Sequence, residues 1–301
     1  MNHLYKRDLT NGSITGSMLR FALPLMLGNL LQQCYNIADT LIVGQVLGAE
    51  ALAAVGSSYA LIVFITSIFI GLCMGCSAVL SIQYGAKDIQ QMKQSIFSSL
   101  LIVGGTTLLL NILSLTFLSP IIKILQTPPE LEAMTYRYLF LIFLGMIPMA
   151  VYNFYAFLLR SVGNSSSPLY FLLISVAINI VLDVLFMVGL KMGVEGAALA
   201  TIISQIVSAA GIYLYTWKQF PELRLSCDDR QIDFSSIRKI ASFSYLTCMQ
   251  QSVMNLGILM VQGLVNSFGT TVMAAFAAAV ILYILYRISL SKVSKMLKLS
   301  A

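Results

Sequence analysis

The sequence predicts an all-α polytopic membrane protein: a six-helix N-lobe followed by the first one or two helices of a parallel-repeated C-lobe. Of its 301 residues, 58% are hydrophobic and only 10% are charged, and the mean hydropathy is +0.87. Soluble domains carry about 25% charged residues. The charges are also clustered, and the uncharged runs between them exceed the roughly 20 residues that cross a bilayer. Because apolar and polar residues do not alternate strictly within these runs, the runs indicate helices rather than barrel strands.

Taken in order, the apolar runs predict seven membrane spans and a weaker eighth. They cover residues 21–45, 53–81, 95–118, 138–159, 169–189, 196–217, 240–265 and 272–290. The segment from Asn266 to Thr270 has the composition of a turn and separates the last two. The longest polar segment, 218–236, divides the chain into three predicted parts. These are an N-terminal lobe over 1–217, a cytoplasmic linker over 218–236 and the start of a C-terminal lobe over 237–301.

The basic residues predict the orientation of the chain. With the N-terminus placed in the cytoplasm, 15 of the 18 Lys and Arg residues fall on the cytoplasmic side and 3 on the other. Such an excess follows the positive-inside rule, so we expect a multi-pass protein of the plasma membrane with a cytoplasmic N-terminus. The net charge of +6 is then explained by anionic membrane lipids as partners, without nucleic acid.

A weak internal repeat relates the first and seventh spans. At an offset of 219 to 221 residues, the segment 47–55 aligns with 267–276, which pairs Gly48 with Gly269 and one Ala-Ala pair with another. Six spans separate the two copies, so the repeats are expected to be parallel, as in some secondary transporters. A repeat of about 220 residues does not fit twice into 301 residues. The basic tail after Val280 also resembles a stop-transfer flank, so we expect a truncated second lobe.

Two acidic residues, Asp39 and Asp183, lie well inside apolar segments. Acids at mid-bilayer are energetically unfavourable and mark ion pathways, proton relays or ligand counter-ions. Each lies on a polar helical stripe, formed by Asn29, Gln32, Asn36 and Asp39 on one helix and by Ser175, Asn179 and Asp183 on the other. The alternative is that the polar stripes hold helices together by hydrogen bonds.

The charge pattern predicts a cavity for cations. No Lys or Arg lies in the middle of the first seven spans, and burial without a positive partner favours the protonated form of a carboxylic acid. The cavity would be neutral when protonated and attract cations when ionised, as the exchange of a cationic solute for a proton requires. Tyr35 is a further candidate for its wall, and Pro24 is a candidate hinge because proline removes a helical hydrogen bond.

Other chemistry lacks its sequence signatures. The chain has no GxxxxGK[ST] loop, no HExxH motif and a single His, at position 3, so we expect no enzyme, no metal site and no cofactor besides a coupling ion. Cys73 and Cys76 form a CxxC that is interpreted as buried small residues. Gly71 and Gly75 form a GxxxG that predicts close helix packing.

Four motifs together resemble the multidrug and toxic-compound extrusion (MATE) family. They are YNIADT with VG at 35–44, LLRSVGN at 158–164 leading to Pro168, NIVLD at 179–183, and GVEGAALAT at 193–201. The resemblance implies a twelve-helix transporter with two six-helix lobes that exports organic cations in exchange for protons or sodium ions. It also implies a cation-coupling site formed by Asp39, Asn179, Asp183 and Thr201, with Asn153 nearby, and bending of the first helix at Pro24.

Three functions remain open from the sequence. The first is a cation-coupled exporter of small organic cations, or the N-terminal part of one, with Gln32, Tyr35 and Asn36 in the substrate cavity. The second is a lipid-linked oligosaccharide flippase of related fold, which would need Lys or Arg in its cavity to bind pyrophosphate. The third is a non-transporting membrane fragment of a disrupted gene.

Overall fold

A computed structural model describes residues 14–226, 229 and 234–280, and every regular element within them is helical. The helices are α1 (Ile14–Leu47), α2 (Ala49–Gly85), α3 (Ile89–Thr116), α4 (Leu118–Ile124), α5 (Pro129–Leu144), α6 (Met146–Ser161), α7 (Ser166–Asp183), α8 (Val194–Gln219), α9 (Phe234–Asn266) and α10 (Thr270–Val280). A π-helical segment, Val184–Gly189, continues α7, and a 3-10 turn, Pro221–Leu223, follows α8.

The helices confirm the prediction of an all-α membrane protein. Four of them, α2, α3, α8 and α7 with its π-helical continuation, are long and apolar enough to cross a bilayer, and α5 with α6 forms a bent fifth. Two more, α1 and α9, are long enough, but polar side chains along both lower their hydropathy. The predicted lobe and linker boundaries remain predictions, as does the part of the eighth span beyond Val280. The basic tail at 281–301, residues 1–13 and Cys227 lie outside the described residues.

The fourth predicted span differs from its prediction because it consists of two helices. α5 and α6 meet at Gly145 with a bend of 46°. Pro148 lacks an amide hydrogen, so it cannot donate to the carbonyl group of Leu144, four residues earlier. The bend also brings Gly145 against α8, where a Cβ atom on it would approach Ile202 Cγ1 to 2.6 Å. The break therefore permits a close helix crossing.

Two large apolar clusters that meet along α2, with a third and smaller one beside α9, form the interior. One contains Cys73 and Cys76 with Phe154 and Leu159 of α6, which confirms that these cysteines are buried. The other surrounds Phe69 and includes parts of α5 and α8. Apolar side chains on the outer face of α3 are exposed, as expected of a surface in contact with lipid.

α9 packs directly on α2 through the predicted GxxxG motif. A Cβ atom on Gly71 would lie 2.6 Å from Cys248 Cα, and one on Gly75 would collide with the backbone of Ser244. The Thr247 hydroxyl donates to the Gly71 carbonyl at 2.7 Å. The two glycines therefore allow the backbones to approach closely, which confirms the packing role of this motif.

Candidate cation site and cavity

The carboxyl groups of Asp39 on α1 and Asp183 on α7 lie close enough to each other in the interior for a hydrogen bond. Asp183 is fully buried, and Oδ1 of each aspartate is buried without a donor. Two carboxyl groups can share a hydrogen bond only when one of them carries a proton. The ion pairs of the described residues, Lys93–Asp229 and Arg137–Glu195, do not include either aspartate. The arrangement is an acid pair that can hold a proton or another cation.

Asn179 and Thr201 connect this acid pair to α8. In the amide orientation that satisfies both of its neighbours, the Asn179 nitrogen donates to Asp183 Oδ2 at 2.9 Å, and its oxygen accepts from the Thr201 amide at 3.3 Å. The hydroxyl groups of Thr201 and Tyr35 lie 3.2 Å apart, within hydrogen-bond distance. Asp183 ends the α-helical part of α7, and the π-helical turn follows it directly. The structure therefore brings together four of the five residues of the predicted cation-coupling site.

The fifth, Asn153, lies on the cavity wall but is bonded elsewhere. Its amide donates to the Met149 carbonyl of its own helix at 2.8 Å. Pro24 also lines the cavity, and α1 continues through it as one helix from Ile14 to Leu47. The roles of Asn153 in cation coupling and of Pro24 as a hinge stay predictions.

A cavity of about 480 Å³ extends from Asp39 of the acid pair between α1, α2, α5, α6, α7, α8 and α9. The predicted cavity residues Gln32, Tyr35 and Asn36 all line it. The Asn36 amide also donates to the Tyr59 hydroxyl at 3.3 Å, which joins the wall on α1 to that on α2. Because its walls combine aromatic, amide and apolar groups, the cavity has the size and character of a site for a small organic molecule.

Several residues of this region were not identified from the sequence. Tyr138 of α5 is buried close to both aspartates, and no sequence pattern marks it. Arg160, at the end of α6, lines the same cavity, although it lies outside the middle of any span. Gln251 and Asn255 of α9 also line the cavity, and their four-residue spacing was a signal that could have identified them.

Comparison with known proteins agrees with these features. The MatE family model matches residues 24–185. The chain is 30% identical over 271 residues to "Probable multidrug resistance protein YpnP" of Bacillus subtilis, covering 90% of this chain and 60% of that protein. It is 31% identical over 206 residues to "Multidrug export protein MepA" of Staphylococcus aureus, covering 67% of this chain and 45% of that protein.

The fold is also similar to that of solved transporters. The structure of the MATE multidrug transporter DinF-BH in complex with a dye matches with a TM-score of 0.83 at 23% identity, over 93% of this chain and 63% of that one. An inward-facing MATE family transporter matches with a TM-score of 0.80 at 23% identity, over 89% of this chain and 61% of that one. The chain thus spans about 60% of the length of YpnP and of these two structures.

Proposed function

Since the chain belongs to the MatE family, we propose that it forms the N-terminal lobe and the beginning of the C-terminal lobe of a secondary antiporter that exports organic cations. Protons or sodium ions, entering from outside, are exchanged for the substrate. The observation that carries this proposal is the contact between the Asp39 and Asp183 carboxyl groups inside the cavity region. This family contains transporters rather than enzymes, which agrees with the lack of enzyme signatures.

Competition for the acid pair supplies the coupling in this proposal. When the pair holds its shared proton, it carries one negative charge less and attracts a cationic substrate weakly. Loss of the proton increases the negative charge and favours the substrate or a sodium ion. Exchange of one ion for one monovalent cation moves no net charge, so the concentration gradient of protons or sodium ions drives it. Each additional ion that enters supplies about 2.3 kcal/mol across 100 mV.

The oxygen atoms around the acid pair suit either coupling ion. The two carboxyl groups and the hydroxyls of Tyr35 and Thr201 are oxygen donors, and hard cations such as sodium prefer oxygen ligands. A proton needs only the carboxyl pair itself. We propose a site that accepts a proton or sodium, formed by Asp39, Asn179, Asp183 and Thr201.

The expected substrates are small organic cations held in the 480 Å³ cavity. Its aromatic walls provide apolar contact, and the acid pair provides charge. YpnP and MepA are both named for multidrug resistance or export, and a dye is bound in the DinF-BH structure. We propose substrates of this kind for the present chain, in a cell membrane with the N-terminus and the linker cytoplasmic, as the charge asymmetry predicts.

A second candidate is the lipid-linked oligosaccharide flippase. Arg160 lines the cavity and provides one of the cations that a pyrophosphate group would require. The two aspartates in the same region would repel that group, however. The antiporter is therefore the function that the arrangement of charges favours.

Binding of a cationic rhodamine ester to the purified chain in lipid nanodiscs tests this function. We expect the unaltered chain to bind the dye and release it as the pH falls, because protons compete for the carboxyl pair. Asp39→Asn and Asp183→Asn should each weaken this pH dependence. The control is Glu195→Gln, which should preserve it because the Glu195 carboxylate pairs with Arg137 outside the cavity. A chain that binds no dye would support the non-transporting fragment, and equal pH dependence in all variants would move the coupling site elsewhere.

A further inference from the structure

The cavity also carries a positive charge that the proposed cation exchange does not use. Arg160 lines the cavity together with Asp39. Its guanidinium carbon lies 4.8 Å from the centre of the Phe157 ring. Stacking of this kind uses the face of the guanidinium group and leaves its in-plane N–H groups free to donate. Arg160 therefore has donors available beside the space where a substrate would bind.

These donors have no protein acceptor within the described residues. Arg160 Nε is buried without a hydrogen-bond partner, and the ion pairs of this part of the chain involve other residues. Arg160 is therefore the donor available to a ligand here, because the hydroxyl of the neighbouring Tyr152 already donates its proton to the Pro168 carbonyl at 3.0 Å. A buried donor without an acceptor is energetically unfavourable. An acceptor on a ligand would remove that penalty.

Arg160 and the acid pair lie at different levels of the cavity. Tyr152 lies near Arg160 and donates to the carbonyl group of Pro168 in the first turn of α7. The same turn packs near Gly28, with Leu169 Cδ1 3.9 Å from a Cβ position on that glycine. From Gly28, α1 continues for about three turns, or roughly 16 Å, to Asp39. The charges of the cavity are thus separated along its length, negative at the acid pair and positive at Arg160.

We propose that Arg160 forms an anion-binding subsite and that the cavity accepts zwitterionic substrates, with the cationic group directed to the acid pair and a carboxylate bound by Arg160. This inference rests on the proposed function, because it concerns the same cavity. A carboxylate matches the fork of in-plane guanidinium donors and accepts two parallel hydrogen bonds from it. Organic cations without an anionic group would bind without using Arg160.

A matched pair of dyes tests the subsite: a rhodamine with a free carboxylate, and the same rhodamine as its methyl ester. We expect Arg160→Gln to weaken binding of the carboxylate dye to the purified chain about tenfold or more, the range of a lost charge-assisted hydrogen bond. The affinity of Arg160→Gln for the ester should differ from that of the unaltered chain by less than about twofold. Arg160→Lys should recover part of the loss, and Arg137→Gln, which removes an arginine outside the cavity, should affect neither dye.

The outcomes separate this inference from the proposed function. If the unaltered chain binds the ester but Arg160→Gln weakens both dyes equally, the subsite is overturned and the cation exchanger stands. If the unaltered chain binds neither dye, both proposals fail. If Arg160→Gln does not fold, competition by benzoate in the unaltered chain tests the subsite instead. Benzoate should displace the carboxylate dye and leave the ester bound. Equal displacement of both dyes, or displacement of neither, would overturn the subsite.

Discussion

Gly56 on α2 and Ala277 on α10 lie directly against each other. A Cβ atom on Gly56 would approach the Ala277 Cβ to 2.7 Å. The same offset of 221 residues relates Gly48 to Gly269, and both of these glycines have a φ of +89° just before a helix begins. Equivalent positions of two copies contact each other only near the axis that relates them. The contact therefore supports a parallel repeat in which α9 and α10 correspond to α1 and α2.

Substitution of Gly71 should separate α9 from α2. In Gly71→Ala the new methyl group would collide with Cys248 Cα and disturb the hydrogen bond from Thr247 to the Gly71 carbonyl. We expect a loss of about 1–3 kcal/mol in unfolding free energy, as for other overpacked sites. Thermal unfolding in detergent, followed by circular dichroism, measures it. The control is Gly104→Ala on α3, where a Cβ atom meets nothing within 4 Å; equal destabilisation of both variants would contradict the prediction.

Substitution of Thr201 should weaken cation binding without changing the shape of the site. Thr201→Val removes the hydroxyl that lies 3.2 Å from Tyr35 and next to the Asn179 amide. We expect about threefold to tenfold weaker binding of a cationic dye, which corresponds to one ordinary hydrogen bond. Thr216→Val on the same helix removes a hydroxyl that donates to the Ile212 carbonyl of its own helix and should leave dye binding intact. A similar loss in both variants would indicate a general effect on α8.

The orientation of the chain can be tested on its own cysteine. Because 15 of 18 basic residues fall on one side, we expect Cys227 in the linker to be cytoplasmic. A membrane-impermeant maleimide should label Cys227 only after the cells are permeabilised. Lys191→Cys, at an exposed position between α7 and α8, should be labelled in intact cells as the control for the opposite side. The reverse labelling pattern would invert the proposed direction of export.

Asp229 should hold the linker turn in a pH-dependent way. Hydrogen bonds from the Ser226 side chain and amide, with Lys93 nearby, lower the pKa of this carboxyl group. A lowered pKa in the folded state stabilises the turn above the ordinary carboxyl pKa, and this stabilisation disappears as the pH falls through the lowered value. Hydrogen–deuterium exchange of the Ser226 amide at neutral pH should therefore be faster in Asp229→Asn.

Lys93→Gln provides the comparison for Asp229. We expect a smaller increase in exchange, because Lys93 contributes less to the shift than the Ser226 hydrogen bonds do. On acidification, the difference between Asp229→Asn and the unaltered chain should shrink. A difference that grows as the pH falls would show that the charge of Asp229 does not stabilise the turn.

The sequence alone located the spans and the two aspartates. A bilayer requires about 20 consecutive apolar residues per helix, so the spans are recorded in local composition, and all of the first seven correspond to helices of the structure. Asp39 and Asp183 were identifiable because an acid in an apolar segment is rare and unfavourable. The helical stripes on which they lie also indicated that Asn179 and Asn36 share their faces.

Only the tertiary structure decided what those faces meet. The periodicity of a helix shows which side chains share its surface, but partners more than a hundred residues away depend on how the helices cross. The contact of Asp39 with Asp183, the burial of Tyr138 beside them and the access of Arg160 to the cavity all depend on such crossings. One crossing requires the bend at Gly145 and another requires Gly71 and Gly75. Backbone approach within a few ångströms, rather than hydropathy, thus determines which charges share the cavity.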